Sequence, residues 1–290
     1  FLLFGDTADA TTTKDGLPDN RVQAIASGTN GVVWLGTTAG LARYSSGAIG
    51  DAPANQALPH VPITSLWADP DGTLWIGYGG RKQSYSLSRY DGATVVNFTA
   101  DDGLESSSVS QIYRGADGAL WLASGFLCRY DPDSFLNLTV RDGLATSPVA
   151  NLLGDPFGAL WIGFGATEEI LRIDPPGSNG RVYRANPIGL PKILCRSIAH
   201  GRDGAIWLST ARGMHRYDGK RFEAFTTSDG LANDRVFSCF VAKDGTTWGG
   251  TFGGASHYDG ITWANLDTRD GLPAPPVNSI AETPDGAIWF

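Results

Sequence analysis

The chain has 290 residues, of which 42% are hydrophobic and 18% charged, so it can bury the core of one large domain or two small ones. Its 38 glycines and 16 prolines interrupt it too often for long helices. The formal net charge of -8 has the wrong sign for a surface that attracts phosphate backbones or anionic lipid. We therefore expect an all-β chain with no nucleic-acid partner and no direct insertion into a membrane.

An internal repeat runs through the chain. Seven of the nine tryptophans recur at spacings of 40 to 46 residues: Trp34, Trp75, Trp121, Trp161, Trp207, Trp248 and Trp289. A glycine stands three residues before each of them, and in six of the seven repeats the residue before that glycine is Asp or Asn. An Asx-Gly pair between apolar runs is typical of a tight β-hairpin, so each Trp is predicted to follow a hairpin turn.

Each repeat contains four predicted strands. In chain order they are an apolar strand before the hairpin, the Trp strand after it, an Arg-Tyr strand such as Arg43-Tyr44, and a last apolar strand such as Phe222–Phe225. Several repeats then open with Asp-Gly-Leu, as at Asp102 and Asp229. Four short antiparallel strands in a unit of about 40 to 50 residues are typical of a β-propeller blade.

These elements predict an all-β fold, a seven-bladed β-propeller of four-stranded antiparallel blades, formed by a single domain over residues 1–290. The last repeat stops at Phe290, before its third and fourth strands. The apolar segment Phe1–Phe4 precedes the first repeat and is expected to supply the missing outer strand. The ring would then be closed by the N- and C-terminal segments, which limits exposed strand edges.

The segments 15–44 (DGLPDNRVQAIASGTNGVVWLGTTAGLARY) and 229–260 (DGLANDRVFSCFVAKDGTTWGGTFGGASHYDG) resemble the two-component regulator propeller repeat. The resemblance implies the periplasmic or extracellular sensor part of a signalling protein, in which a homodimer would form through adjoining domains. Streptogramin lyases are also seven-bladed, but their repeats lack the Asp-Gly-Leu and Arg-Tyr-Asp-Gly elements. The resemblance thus implies signal transduction rather than catalysis.

By analogy with other propellers, the loops that enter each first strand and the loops that follow each Trp strand form the ligand-binding face. The candidate ligand-binding residues on these loops are Arg21, His60, Arg81, Lys82, Tyr85, Arg212 and Arg235. Arginine and lysine there could bind hydroxyls or carboxylates, and the candidate stacking residues are Tyr78, Tyr85, Phe126, Phe164 and Phe252. The expected partner is a saccharide or another small polar ligand, although any single loop residue could simply be solvated.

Catalytic motifs are absent from the sequence: none of the four histidines has metal-ligand spacing, and there is no GxSxG or phosphate-binding loop. We therefore expect no cofactor, no metal and no catalytic residues, and an enzyme is disfavoured. Two alternatives stay open. One is a secreted lyase or hydrolase, similar to streptogramin or polysaccharide lyases, with His60 as general base. The other is a protein-interaction scaffold. The three cysteines, in apolar positions of the repeat, are expected to be free.

Overall fold

A computed structural model describes residues 2–4, 7–9, 12–79, 85–104, 108–115, 117–131, 134–145, 148–154, 158–164, 170–173, 182–184, 194–272, 274–283 and 285–290. Within these ranges, six four-stranded antiparallel sheets are each formed by four consecutive strands of one repeat. Each strand pairs with the next one in the chain, so every such sheet is a meander. We number these six sheets blades 1 to 6 in chain order.

The strands of blades 1 to 3 are, in chain order, Val22–Ser27, Val33–Thr37, Leu41–Ser45, Ala48–Asp51; Ile63–Ala68, Leu74–Tyr78, Leu87–Tyr90, Val95–Phe98; Gln111–Arg114, Leu120–Ala123, Leu127–Asp131, Ser134–Leu138. Those of blades 4 to 6 are Val149–Gly154, Leu160–Phe164, Ile170–Ile173, Val182–Arg184; Cys195–His200, Ile206–Thr210, Gly213–Tyr217, Phe222–Phe225; Val236–Val241, Thr247–Thr251, Gly254–Tyr258, Trp263–Leu266. Short 3-10 helices lie between strands, at Thr13–Asp15, Thr29–Gly31, Pro53–Gln56, Ala100–Asp102, Val140–Asp142, Thr227–Asp229 and Thr268–Asp270. None of the helices in the described ranges could span a membrane.

The prediction of seven blades, one for each Trp repeat, is wrong, because the described residues contain six such blades. The last repeat supplies only Ala281–Glu282 and Ile288–Trp289. These two strands share a sheet with Leu2–Phe4 and Thr7–Asp9 from the other end of the chain. Leu2–Phe4 pairs with Ile288–Trp289, and Thr7–Asp9 is the outer strand. Leu2–Phe4 is therefore an inner strand of this composite sheet, and the expectation that Phe1–Phe4 supplies the outer strand is wrong.

The Asp-Gly-Leu element is a turn between blades. In the 3-10 helix Thr227–Asp229, the Thr226 side chain accepts a hydrogen bond from the backbone N–H of Ser228, and the Asp229 carboxylate accepts one from the N–H of Thr226. Gly230 follows with φ +111°, a left-handed conformation that favours glycine, and Leu231 is buried. The same capping box recurs around Asp15, Asp102 and Asp270. This element therefore stabilises the chain reversal and anchors it in the core.

The tryptophans of the repeat lie in the core, as predicted, and six of the seven are buried while Trp161 is half-buried. Each Trp of the six blades faces the Arg-Tyr strand of its own sheet, for example Trp121 opposite Arg129. The Arg129 guanidinium carbon lies 5.8 Å from the Trp121 ring centroid, so the arginine covers the indole. The three cysteines are free and buried, which confirms the expectation that they act as small hydrophobes.

The chain forms two compact units. One contains Phe1–Ala10, Val140–Glu282 and Gly286–Phe290, and therefore holds blades 4 to 6 and the composite sheet. The other contains Thr11–Thr139 and Thr283–Asp285, and holds blades 1 to 3. The prediction of a single domain over residues 1–290 stays a prediction.

Candidate functional site

A β-bulge recurs near the start of the first strand of five blades. In blade 6, Val236 lies opposite Thr251 and Ser238 lies opposite Gly250, so Phe237 is the extra residue. The extra residues in the five blades are Gln23, Thr64, Ala150, Arg196 and Phe237. A bulge leaves its extra residue outside the ladder and changes the direction of its side chain, and bulges are frequent beside functional sites. The fold thus presents a different side chain at one place in each of these blades.

Two of the bulge residues belong to a cluster of cations and aromatic rings in blades 5 and 6. The Arg196 guanidinium carbon lies 4.6 Å from the centroid of Phe237. The Arg235 guanidinium carbon lies 6.0 Å from Phe237 and 4.8 Å from Phe252. The two phenylalanine ring centroids are 6.5 Å apart. We call Arg196, Arg235, Phe237 and Phe252 the Arg–Phe cluster.

The backbone around the cluster is held by short hydrogen bonds. The Phe252 N–H donates to the carbonyl of Arg235 at 2.9 Å, and the Arg235 N–H donates to Asn233 Oδ1 at 3.0 Å. The N–H of Gly213, the first residue of the third strand of blade 5, donates to the Asp234 carbonyl at 2.6 Å. A side chain at Gly213 would meet the Phe225 carbonyl oxygen at 2.1 Å, so only glycine permits this close approach. These bonds place the loops of Arg212 and Arg235 side by side.

The charges of Arg196 and Arg235 are not neutralised by neighbouring carboxylates. Among the described residues, no Asp or Glu forms an ion pair with Arg196, Arg212 or Arg235. Arg235 is exposed, Arg196 and Phe237 are half-buried, and Phe252 is 46% exposed. The cluster therefore offers positive charge and aromatic surface to a ligand.

Blade 1 shows why Arg235 is unpaired. Arg21 takes the same place in blade 1, but its Nε lies 3.0 Å from Asp19 Oδ1, and this hydrogen-bonded arginine holds the pKa of Asp19 well below its ordinary value. Blade 6 has Asn233 where blade 1 has Asp19, because the Asp-Asn-Arg order of residues 19–21 becomes Asn-Asp-Arg at residues 233–235. An amide cannot neutralise the guanidinium. Because Asp and Asn have exchanged places between the two blades, the Arg235 guanidinium is available to bind a ligand.

The predicted site residues are divided between the two compact units. Arg21, His60 and Tyr85 lie in the unit of blades 1 to 3, and Arg212 and Arg235 lie in the unit of blades 4 to 6. His60 is exposed and Tyr85 is 40% exposed. Arg81 and Lys82 lie outside the described residues.

Two of the five candidate stacking residues are core residues instead. Tyr78 and Phe164, the last residues of two Trp strands, are fully buried. Burial raises the pKa of the Tyr78 phenol well above its ordinary value, and its hydroxyl donates to Ser88 Oγ at 2.8 Å. Phe126 and Phe252 are exposed and stay available for stacking.

Sequence reasoning missed Arg196 and Phe237. Both stand one residue after the first apolar position of their repeats, where the other five repeats have Gln23, Thr64, Ser110, Ala150 and Asn278. That column could have pointed to the site, since its residues vary in charge and size directly after a position that is apolar in every repeat. The bulge that makes the column accessible is visible only in the strand pairing.

Two of the histidines, His215 and His257, occupy packed positions. No group of three or more His, Cys, Asp or Glu in the described ranges is placed to hold a metal ion. His215 is buried with neither ring nitrogen hydrogen-bonded, and burial lowers its pKa. His257 stacks on Trp248 with a centroid separation of 4.6 Å. What the Arg–Phe cluster can do chemically is bind an anion next to an aromatic surface.

The family model of the two-component regulator propeller matches residues 16–39. No curated protein sequence matches the chain. The solved structures similar to it include the extracellular domain of a B. thetaiotaomicron protein named as a hybrid two-component system. That domain has 17% identity and a TM-score of 0.71, over 93% of this chain and 37% of that one. A second B. thetaiotaomicron extracellular domain, of a protein named as a one-component system, has 19% identity and a TM-score of 0.72, over 88% of this chain and 35% of that one.

Lyases are equally similar in structure. Streptogramin B lyase has 18% identity and a TM-score of 0.72, over 94% of this chain and 91% of the lyase. Virginiamycin B lyase from Staphylococcus aureus has 15% identity and a TM-score of 0.70, over 93% of this chain and 91% of the lyase. The chain thus spans about a third of the length of the two B. thetaiotaomicron domains and nearly all of the lyases. At these identities the structural similarity shows the propeller fold alone. The chain is thus a β-propeller, and its residues 16–39 match the two-component regulator propeller repeat.

Proposed function

We propose that the protein is the ligand-binding propeller of a periplasmic or extracellular sensor, and that it recognises an anionic saccharide at the Arg–Phe cluster. The single observation that carries the proposal is the pair of guanidinium groups, Arg196 and Arg235, within 6.0 Å of the Phe237 centroid and with no described carboxylate partner. Charge-assisted hydrogen bonds from arginine to carboxylate or sulfate are among the stronger polar contacts in proteins. An exposed aromatic face such as Phe252 can cover the apolar face of a sugar ring.

The matching family and the extracellular domains of similar fold support the sensor assignment, since both come from signalling proteins. The net negative charge of the chain implies that anions are attracted only at particular places on its surface. A net charge of -8 repels a polyanion from most of the surface, so an anionic ligand gains from contact only where arginines are unpaired. Arg212, on the loop bonded to Asp234, extends this positive region.

The first variant of the decisive experiment leaves all four cluster residues in place. The Asn233→Asp substitution restores in blade 6 the carboxylate that neutralises Arg21 in blade 1. Titration calorimetry with oligogalacturonate, a sulfated chondroitin oligosaccharide and neutral maltotetraose should show binding of an anionic ligand to the wild type. Binding should fall about 10-fold or more in Asn233→Asp and in an Arg196→Ala, Arg235→Ala double variant, because each charged hydrogen bond contributes about 1.5 to 3 kcal/mol.

The matched control is Arg21→Ala, which removes an arginine that Asp19 already neutralises. It should leave the affinity within about 2-fold, as expected for an exposed, paired charge. Anionic binding that persists in both Asn233→Asp and the double variant would place the site elsewhere. If none of the three glycans binds the wild type, the saccharide proposal is wrong and a protein-interaction scaffold becomes the better hypothesis.

A lyase activity is the second candidate, favoured by the similarity over 91% of the length of streptogramin B lyase. One of the similar structures is named as a catalytically inactive His→Ala variant of virginiamycin B lyase with quinupristin, which implicates a histidine in that enzyme. In the described part of this chain, the one histidine that is exposed is His60, and no hydrogen bond links it to an acid or base. Incubation with quinupristin followed by mass spectrometry tests this activity, and an unchanged substrate would exclude it.

A further inference from the structure

A cavity of about 610 Å³ lies between blades 1 and 2, at the hairpins that join the first and second strands. It is therefore at the end of the first strand opposite to the bulge. Trp34 and Tyr90 supply aromatic walls, and the polar lining includes Asn30, Arg43 and Ser46. All of its lining residues belong to the described part of the unit that holds blades 1 to 3. Its volume is that of an ordinary small-molecule site.

The equivalent place between blades 2 and 3 is filled by a buried ion pair. Asp69, six residues before Trp75, accepts hydrogen bonds from Trp75 Nε1 at 3.0 Å and from Trp67 Nε1 at 2.9 Å. Arg114, seven residues before Trp121, donates from Nε to Asp69 Oδ1 at 3.0 Å. One carboxylate thus satisfies two indole N–H groups and a guanidinium.

The interface between blades 1 and 2 lacks both side chains of that pair. Gly28 stands six residues before Trp34, and Ala68 stands seven residues before Trp75, so they take the places of Asp69 and Arg114. A Cβ atom added at Gly28 would lie 3.0 Å from Trp34 Nε1, which shows that a side chain there would point at the indole nitrogen. The cavity exists because two side chains are missing from an interface that has them elsewhere.

Other blades place a carboxylate in the same region by a second route. In blade 3, Asp117 lies beside Gly115 and pairs with Arg129, its Oδ2 3.0 Å from the guanidinium. In blade 5, Asp203 lies beside Gly201 and pairs with Arg216. Arg129 and Arg216 both lie directly opposite the Trp of their own blade. Carboxylate, indole and arginine thus form a recurring set.

Blade 1 retains the donors of this set without the acceptor. Arg43 lies opposite Trp34, as Arg129 lies opposite Trp121, but the residue equivalent to Asp117 is Asn30. Among the described residues, Arg43 has no ion-pair partner and the Trp34 N–H has no hydrogen-bond acceptor. Both line the cavity. An N–H that faces an apolar wall without an acceptor is costly, whereas one that faces a cavity can be satisfied by a ligand.

We propose that this cavity is a binding site for a small hydroxy acid, whose carboxylate takes the place that Asp69 fills in blade 2. The carboxylate would accept hydrogen bonds from Trp34 Nε1 and the Arg43 guanidinium. The hydroxyls of the ligand would be bound by the Asn30 amide and by Ser45 and Ser46, which also line the cavity. This site is distinct from the Arg–Phe cluster, which lies in blades 5 and 6, so either can fail without the other.

D-Glucuronate is the probe, and D-glucose is its neutral match. Intrinsic tryptophan fluorescence and calorimetry should show binding of glucuronate to the wild type with a Kd of about 1 mM or tighter, and glucose should bind at least about 10-fold more weakly. Arg43→Gln should weaken glucuronate binding about 10- to 100-fold. Gly28→Asp should abolish it, because the new carboxylate occupies the same place in a backbone conformation that any residue adopts.

The matched control is Arg216→Gln, which alters the equivalent arginine in the smaller cavity of about 370 Å³ between blades 5 and 6, where Asp203 is already present. It should leave glucuronate binding unchanged. A thermal melt of Gly28→Asp establishes folding independently of the ligand, since a folded variant melts cooperatively. The proposal is overturned if glucuronate does not bind the wild type, or if its binding persists in a folded Gly28→Asp variant.

Discussion

Replacing Asp69 by Ala is expected to destabilise the protein by about 3 kcal/mol, because a buried carboxylate that joins three donors is lost. Asp69 is 7% exposed, and removal leaves the Trp75 N–H without an acceptor in a residue that is only 3% exposed. An orphaned buried donor costs about 1 to 3 kcal/mol, and the loss of one partner of a buried ion pair costs about 3 to 5 kcal/mol. The Arg114 side chain is 28% exposed and keeps its bond to the Gly118 carbonyl, so water recovers part of its loss.

Urea unfolding followed by tryptophan fluorescence measures this change. The control Asp101→Ala, in an exposed 3-10 turn, should stay within about 0.5 kcal/mol of the wild type. The double variant Asp69→Ala, Arg114→Ala should be less destabilised than the sum of the two single variants, by about 1 to 3 kcal/mol, because it leaves no unpaired charge. It also makes this interface resemble the one between blades 1 and 2, where Gly28 and Ala68 take the two places. Additive losses, or a loss below about 1 kcal/mol for Asp69→Ala, would refute this reasoning.

Three further predictions concern the core. Trp121→Ala should lower the free energy of unfolding by about 3 to 5 kcal/mol, since Trp121 is 9% exposed. The control Ile261→Ala, at a residue that is 86% exposed, should lower it by less than about 0.5 kcal/mol. Equal losses in the two variants would contradict a core built on buried tryptophans. Burial lowers the pKa of His215 in the folded protein, so the unfolded chain binds the proton more readily and stability should fall as pH drops through about 6.5. His215→Leu should flatten that decline between pH 7 and pH 5 while exposed His60→Gln does not, and identical pH profiles would argue against it. Burial raises the pKa of Cys239 to about 12, so Ellman's reagent at pH 8 should react with its thiol only after denaturation.

The turns and the four-stranded blades could be predicted from the sequence by itself. The Asp-Gly-Leu and Asx-Gly elements are turns whose hydrogen bonds span only a few residues, so their residue types determine their conformation. The Trp spacing likewise predicted four-stranded blades with a buried indole in each. The count of blades was less secure, because it depended on how Leu2–Phe4 and Ile288–Trp289, from opposite ends of the chain, complete a sheet.

The candidate site needed the tertiary structure. Arg21 and Arg235 each follow one Asp and one Asn in the sequence, in opposite order. Only the distance from Arg21 to Asp19 shows that Arg21 is neutralised while Arg235 is not. Arg196 and Phe237 are brought together from adjacent blades, 41 positions apart in the sequence.

The cavity beside Trp34 is a still clearer case, since it results from side chains that are absent. Gly28 and Ala68 have no polar side chain that would indicate a binding site in the sequence. Their positions become informative only by comparison with Asp69 and Arg114, 45 residues apart, which pair across the next interface between blades. Sequence determines structure reliably where interactions are local, whereas binding sites here arise from packing between repeats, where a missing partner matters as much as a present one.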